Sequence, residues 1–445
     1  MTEFASLPLD ALLSPAVHAC PCGQQHSTQL AYLKIEAGAV RHLPEALALA
    51  GVAKPFIVCD ANTKAAAWDA VQPVLEAASI SYTLYEFAAP HLEPDEYAVG
   101  SLTMAFDPSC DVILAIGSGV LNDCAKVLAH AVRLPSMVIA TAPSMDGYAS
   151  NSSSMIVDGV KTTLYNACPI AVLADTNIVK NAPMRMLWAG FGDMIAKYVA
   201  ICEWRISNLV TGEAYCENIA GLVRRSVRKI MENADRLVQR DPAAVEAVVE
   251  GLVLSGIAMS YAQNSRPASG LEHYFSHLWE MMALERGLPT ELHGIQVGLG
   301  TTLALRVLEQ VKHLAPDRGQ AEAALATFDP IAWEANVRRV FGKTADQILA
   351  IEAKTHKNDP ARQQQHIDTI LASWDTIETF LREELPDAAQ LQSAMRALGM
   401  PVEPTDLGIS AQDVHDAYVC SRDIRDKYLT SSLLWDLGLL EEIHP

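Results

Sequence analysis

The chain has 445 residues, half of them hydrophobic, so it can build more than one buried core, and large-scale disorder is excluded. Its formal net charge of −20 argues against a nucleic-acid partner, because phosphate contacts need clustered lysine and arginine. Nine scattered cysteines form no disulfide framework, and the start MTEFASLPLD lacks the basic lead and apolar core of a signal peptide, so a reducing, cytoplasmic setting is expected.

Near the start, Cys20-Pro-Cys22-Gly-Gln-Gln-His26, preceded by His18, has the residues of a small metal clip. Two cysteines one residue apart give poor tetrahedral geometry from a single segment, so the stretch is read as a loop. Short β-like runs then alternate with helical stretches, the pattern of an α/β layer. The strands expected are Leu30–Ile35, Pro55–Asp60, Tyr82–Phe87, Val112–Ile116, Met137–Thr141 and Ile170–Asp175, with helices such as Thr63–Ala78 and Leu121–Val132 between them. The polar stretch Ser150–Thr163, containing Gly159, reads as a hairpin.

From about Ala182 strand signals almost vanish. Amphipathic patterns run over Met184–Asn208, Glu213–Val238, Ala243–Gln263 and Thr290–Lys312, and prolines punctuate them. The most apolar of these carries Glu246 and Glu250 and fits a bundle helix better than a membrane span, so no membrane partner is expected. The expected architecture is an α/β nucleotide domain over residues 1–181 and an all-α domain over 182–445. The basic cluster Arg224, Arg225, Arg228 and Lys229 reads as a solvated or subunit-facing patch.

Three strand ends carry polar groups. Asp111–Gly117 leads into Ser118-Gly119-Val120-Leu121 and Asp123, a buried strand, a glycine turn and a helix start. Such a turn serves tight packing as well as it cradles a pyrophosphate. Asp60 ends an earlier strand and suits a helix N-cap as well as an adenosine ribose. It precedes the glycine turn, the reverse of the ordinary dinucleotide order, which points to a different nucleotide fold. The third end, Thr141-Ala-Pro-Ser144-Met-Asp146-Gly-Tyr-Ala-Ser150, adds hydroxyls and a carboxylate.

In the helical half, Asp193 stands alone on an apolar helix, His273 and His277 lie four apart, and His293 sits beside Gly294. Two imidazoles at i, i+4 face one way on a helix. One carboxylate with two or three imidazoles suits zinc, iron or nickel.

The runs Gly-Ser-Gly-Val-Leu-Asn-Asp, Ser-Met-Asp-Gly-Tyr-Ala-Ser, Ala-Gly-Phe-Gly-Asp, Ser-Gly-Leu-Glu-His-Tyr-Phe-Ser-His and Leu-His-Gly together resemble the glycerol-1-phosphate dehydrogenases, the bacterial branch most closely. These belong with iron-containing alcohol dehydrogenases, glycerol dehydrogenase and dehydroquinate synthase, and the likeness runs from about residue 18 to the end. It implies a Rossmann-like nucleotide domain followed by an all-helical, dehydroquinate synthase-like domain. It also implies an oxidoreductase that interconverts dihydroxyacetone phosphate and glycerol-1-phosphate with NAD or NADP and one divalent metal, as a homodimer or larger assembly.

By the same resemblance Asp193, His273 and His293 would be metal ligands, and Asp146, Asp193 and His277 would meet substrate. Gly117, Ser118, Gly119, Val120, Leu121 and Asp123 would hold the pyrophosphate. Thr141, Ser144 and Ser150 would flank the cofactor, and Asp60 would hold the ribose and favour NAD. Ser118 departs from the glycine usual in archaeal members. Lys126, Lys161 and Arg266 are placed as candidate partners for a substrate phosphate. A polyol dehydrogenase indifferent to phosphate and a sugar-phosphate cyclase are the rival readings.

Overall fold

The computed structural model describes residues 3–89, 92–158 and 160–445; Gly159, expected in the hairpin turn, lies outside them. In chain order the strands are β1 His18–Ala19, β2 Gln25–His26, β3 Tyr32–Glu36, β4 Pro55–Asp60, β5 Thr83–Phe87, β6 Val112–Gly117, β7 Ser136–Ala140, β8 Ser152–Val157, β9 Val160–Tyr165 and β10 Ala171–Asp175. Among the described residues, six of these form one parallel sheet in the order β3-β10-β7-β6-β4-β5. The pairs β1–β2 and β8–β9 are antiparallel ribbons. All six expected sheet strands are present within two residues of their expected ends, and the hairpin lies two residues further along than expected.

Composition explains the sheet. Phe56–Cys59, Val112–Ile116, Met137–Ala140 and Ala171–Ala174 are buried without alternation, which is how a parallel strand covered on both faces reads. The crossover helices are α1 Leu43–Ala50, α2 Ala61–Ala77, α3 Glu96–Ala105 and α4 Gly119–Val132. After β4 the chain adds β5 on the outside, then returns to the other side of β4 to lay down β6. That reversal opens a crevice at the carboxyl ends of β4 and β6, where open α/β sheets receive ligands.

The helices continue as α5 Thr176–Val179, α6 Met184–Ile195, α7 Lys197–Thr211, α8 Glu217–Met231, α9 Ala234–Leu237, α10 Pro242–Ala262, α11 Leu271–Arg286 and α12 His293–Val311, with others from Arg318 to Asp436. Two compact units emerge. One holds the chain up to Met194 together with Cys216–Ser265; the other holds Ile195–Tyr215 and Arg266–Pro445. Helices α8 to α10 thus group with the sheet, although they follow residue 181. The reason is local: on α10, Ser255 donates to the Asp146 carboxylate at 2.8 Å and Ser260 to the Ala149 carbonyl at 3.1 Å. Helix α10 is long and apolar enough to cross a membrane, but 72% of its most apolar window is buried in the protein, as an all-round apolar core helix requires.

In the second unit α11 and α12 meet without side chains between them at one point. A Cβ on Gly300 would fall 2.4 Å from the Glu272 carbonyl oxygen, so only glycine allows this approach.

Candidate active site

Strands β7, β6 and β4 are neighbours, so the three polar strand ends stand side by side in the first unit. Asp60 caps α2: its Oδ1 accepts the Thr63 N–H at 2.8 Å, and its own N–H donates to Thr63 Oγ1 at 3.0 Å. The cap engages only one carboxylate oxygen, so capping and ribose binding are compatible. Gly117 ends β6, and Ser118 precedes α4 without making a side-chain cap bond. A helix start without a Ser118 side-chain cap, around Gly119, Val120 and Leu121, suits an anion. This is a cradle that fits a dinucleotide pyrophosphate.

Asp123 pairs with Lys126 at 3.0 Å and accepts the Ser154 N–H at 3.0 Å, tying α4 to the β8–β9 hairpin. Lys126 is 1% exposed and donates to the Gly147 carbonyl at 3.2 Å, to Ser150 Oγ at 3.4 Å and to the Ser152 carbonyl. Ser150 is buried, with its Oγ 3.1 Å from the carbonyl oxygens of both Gly147 and Ser152, either of which can accept its single O–H. Thr141 is buried, with its N–H on the Gly117 carbonyl at 3.1 Å, and Ser144 is half-buried.

The 141–150 segment is braced from α6. A Cβ on Gly190 would fall 1.9 Å from the Pro143 carbonyl oxygen, so α6 lies against that backbone. One turn on, Asp193 is 1% exposed and its Oδ2 accepts the Asp146 N–H at 3.0 Å. The two expected carboxylates are thus brought together, Asp146 being held on its other side by Ser255. Lys161 stands on β9.

In the second unit three imidazoles converge. Ring centroids lie 6.2 Å apart for His273 and His277, 5.4 Å for His273 and His293, and 5.4 Å for His277 and His293. His273 Nδ1 is 2.9 Å from Glu272 Oε1, and His293 Nδ1 is 3.0 Å from Ser276 Oγ and 3.3 Å from Glu280 Oε1. A carboxylate beside Nδ1 fixes the proton there and makes Nε2 the lone-pair nitrogen, the usual arrangement behind a metal-ligating histidine. This donor chemistry fits a divalent cation of the zinc or iron class. Ligand atoms of His277, Glu280 and His293 also lie within 4.8 Å of one another.

Glu280 carries no sequence signal beyond its i, i+3 spacing from His277. Burial foremost, with the Arg425 charge, keeps the His277 imidazole neutral, its pKa pushed down to about 3. Behind His273, Glu272 and Glu203 are both buried. Glu203 accepts from Leu271 N–H at 2.9 Å and Thr430 N–H at 2.8 Å. Burial and the Glu272 charge raise its carboxyl to about 7.

Of the candidate phosphate partners, Arg266 is consumed internally. It is 2% exposed and donates to Glu213 at 2.8 Å, the Tyr428 carbonyl at 2.9 Å and Ser207 at 3.0 Å. Two cations that sequence spacing did not suggest, Arg425 and Lys427, bear electrostatically on this unit's buried groups, Arg425 on His277 itself.

A sequence-family description of iron-containing alcohol dehydrogenases matches residues 34–183. An NAD(P)+-linked glycerol-1-phosphate dehydrogenase of Halalkalibacterium halodurans is 32% identical over 375 residues, covering 79% of this chain and 94% of that protein. A counterpart from Methanosarcina mazei is 36% identical over 252 residues, 56% of this chain and 68% of that protein. Among solved structures, a probable glycerol dehydrogenase from Sinorhizobium meliloti shares the fold at TM-score 0.58 and 17% identity, covering 92% of this chain and 97% of that one. The fold is therefore the α/β nucleotide domain with a helical partner that the sequence resemblance implied.

Proposed function

The chain belongs to the glycerol-1-phosphate dehydrogenases, within the iron-containing alcohol dehydrogenase group, and from that premise we propose that it interconverts dihydroxyacetone phosphate and sn-glycerol-1-phosphate with NAD or NADP. The observation that carries the reading is the convergence of His273, His277 and His293 in one unit. Asp193, His273 and His293 would hold a divalent cation, which when bound would supply Lewis acidity at the substrate oxygens. Zinc, nickel and iron all suit a nitrogen–oxygen donor set of this kind.

The chain's own residues do the rest. Asp146, held by Ser255 and by its N–H bond to Asp193, meets a substrate hydroxyl in a fixed orientation. His277 stays neutral, so its lone pair accepts from a hydroxyl at the reacting end. Arg425 and Lys427 are the cations we assign to the substrate phosphate, in place of the sequestered Arg266. The uncapped start of α4 receives the pyrophosphate, and Thr141, Ser144 and Ser150 bound the cofactor. Asp60 repels a 2′-phosphate and so favours NAD. We place the protein in the cytoplasm as a homo-oligomer; its free cysteines support the compartment.

The test is oxidation of NADH and NADPH after loading with zinc, nickel or iron, with dihydroxyacetone phosphate or dihydroxyacetone as acceptor. Turnover should require the phosphate. Equal rates with the unphosphorylated acceptor would make it a polyol dehydrogenase, and activity that survives complete chelation would remove the metal from the proposal.

A further inference from the structure

The ribbon β1–β2 pairs His18 with His26 around a turn in which the Gly23 N–H donates to the Cys20 carbonyl at 3.0 Å. Cys20 and Cys22 lie on that turn and His26 on its returning strand, and Cys216 reaches the same place from the N-cap of α8. Cys20 Sγ is 3.4 Å from Cys216 Sγ, Cys22 Sγ is 3.2 Å from His26 Nε2, and Cys216 Sγ is 3.6 Å from His26 Nε2. All four donor atoms lie within 4.8 Å of one another. The four residues belong to one compact unit.

We propose that Cys20, Cys22, His26 and Cys216 form a second, structural metal site, a closed Cys3His tetrahedron for a zinc-class cation, apart from the substrate site.

Distances fit first. A tetrahedron with zinc–sulfur bonds of about 2.3 Å and a zinc–nitrogen bond of about 2.0 Å has edges of roughly 3.5–3.8 Å. The three shortest separations need adjustments of only a few tenths of an ångström to reach them, and the other three lie within 4.8 Å. The imidazole is set up correctly: His26 Nδ1 lies 2.8 Å from the Tyr261 carbonyl oxygen, so it carries the proton and Nε2 turns its lone pair to the sulfurs. Cys216 stands at a helix N-terminus, where negative charge is favoured, and the Asn218 amide donates to Cys20 Sγ at 3.4 Å. Thiols gain little from one another as neutral hydrogen-bonding partners, so packing alone gives no reason to assemble three of them on an imidazole. The two closely spaced cysteines need not close the tetrahedron by themselves, because Cys216 joins them from 196 residues beyond Cys20.

Four protein ligands leave no position for substrate, which marks the role as structural. The site fastens the N-terminal segment to α8 and α10, alongside the direct bonds that join them. Arg225 donates to the carbonyls of Ala5 and Leu7, and Tyr261 Oη to the Leu12 carbonyl at 2.7 Å. His26 and Cys216 are buried while Cys22 is exposed, so a cation can enter from the Cys22 side.

Cobalt(II) tests this on the intact, reduced protein. Of the two candidate metal groups among the described residues this one has the sulfur donors, so an intense thiolate-to-cobalt charge-transfer band with tetrahedral d–d absorption reports it. One equivalent should give that spectrum and zinc should abolish it; His273→Ala should leave it intact; Cys22→Ser and Cys216→Ser should lose it. Because a cysteine variant can fail to fold, the wild-type spectrum is the deciding readout. Its absence with all nine thiols titrating as free, or recovery of a Cys20–Cys216 disulfide from protein kept anaerobic throughout, would overturn the proposal.

Discussion

Adding one methyl group at Gly190 tests how the candidate site is braced. In Gly190→Ala the new Cβ falls 1.9 Å from the Pro143 carbonyl oxygen, whereas ordinary contact begins at 3.4 Å. Helix α6 and the 141–146 segment must therefore separate by about 1.5 Å, since a helix backbone cannot yield as a side chain does. Asp193 lies one turn along α6, and its bond to the Asp146 N–H is 3.0 Å, so a displacement of that size breaks it. Overpacking costs about 1–3 kcal/mol, and loss of a hydrogen bond to a charged group about 1.5–3 kcal/mol. The two are coupled through one movement, so about 3–5 kcal/mol in all is expected. Misplacing the two candidate-site carboxylates by about 1 Å should cost on the order of 10²-fold in kcat/KM. Urea denaturation and steady-state kinetics measure both. Gly100→Ala is the control: it lies within α3 with no atom within 4 Å of the added Cβ, and should gain about 0.5–1 kcal/mol. A Gly190→Ala enzyme that melts and turns over like the wild type would refute the bracing argument.

Asp193→Ala and His273→Ala should each lose bound metal and turnover together, read by elemental analysis of the purified variants. His277→Ala should keep its metal and lose about 10²–10⁴-fold in kcat, the range for a group acting on a substrate proton; metal loss in parallel would make it a ligand instead. Glu272→Gln removes the carboxylate behind His273 and should weaken metal retention about 10–100-fold. It also removes the charge that helps burial raise Glu203. The folded-state pKa of Glu203, about 7, lies above its ordinary value of 4.5, so the folded form binds the extra proton. Stability from that proton is complete below 4.5 and lost as pH rises through 7; in Glu272→Gln this loss should shrink, seen as urea midpoints that diverge from wild type across that window. Asp60→Asn should raise the preference for NADP while keeping the α2 cap, whereas Asp60→Ala should also lose about 1 kcal/mol with the cap.

The sheet was legible because its buried strands are short unbroken apolar runs with polar residues at their ends, and Asp60, Gly117 and Thr141 marked those ends well. Helix breaks were less legible. The pattern over Met184–Asn208 divides into α6 and α7 at Ala196, where the apolar spacing continues uninterrupted. The histidines were visible because glycines beside them signal close packing, as Gly300 against Glu272 confirms for the helix pair that carries them. Arg425, Lys427 and Cys216 were not legible, because each gains its meaning only from residues more than a hundred positions away. The grouping of α8 to α10 with the sheet was hidden for the same reason: Ser255 and Ser260 look like ordinary helix residues until the Asp146–Ala149 turn lies beside them.

Lys126 spends its ammonium group entirely on the protein's own oxygens, on Gly147, Ser150, Ser152 and Asp123. The loop that presents Asp146 is thus wrapped around an internal counter-ion fixed when the chain folds. An incoming ligand meets a mould already set, and the entropy of ordering that loop is charged to folding rather than to each catalytic cycle.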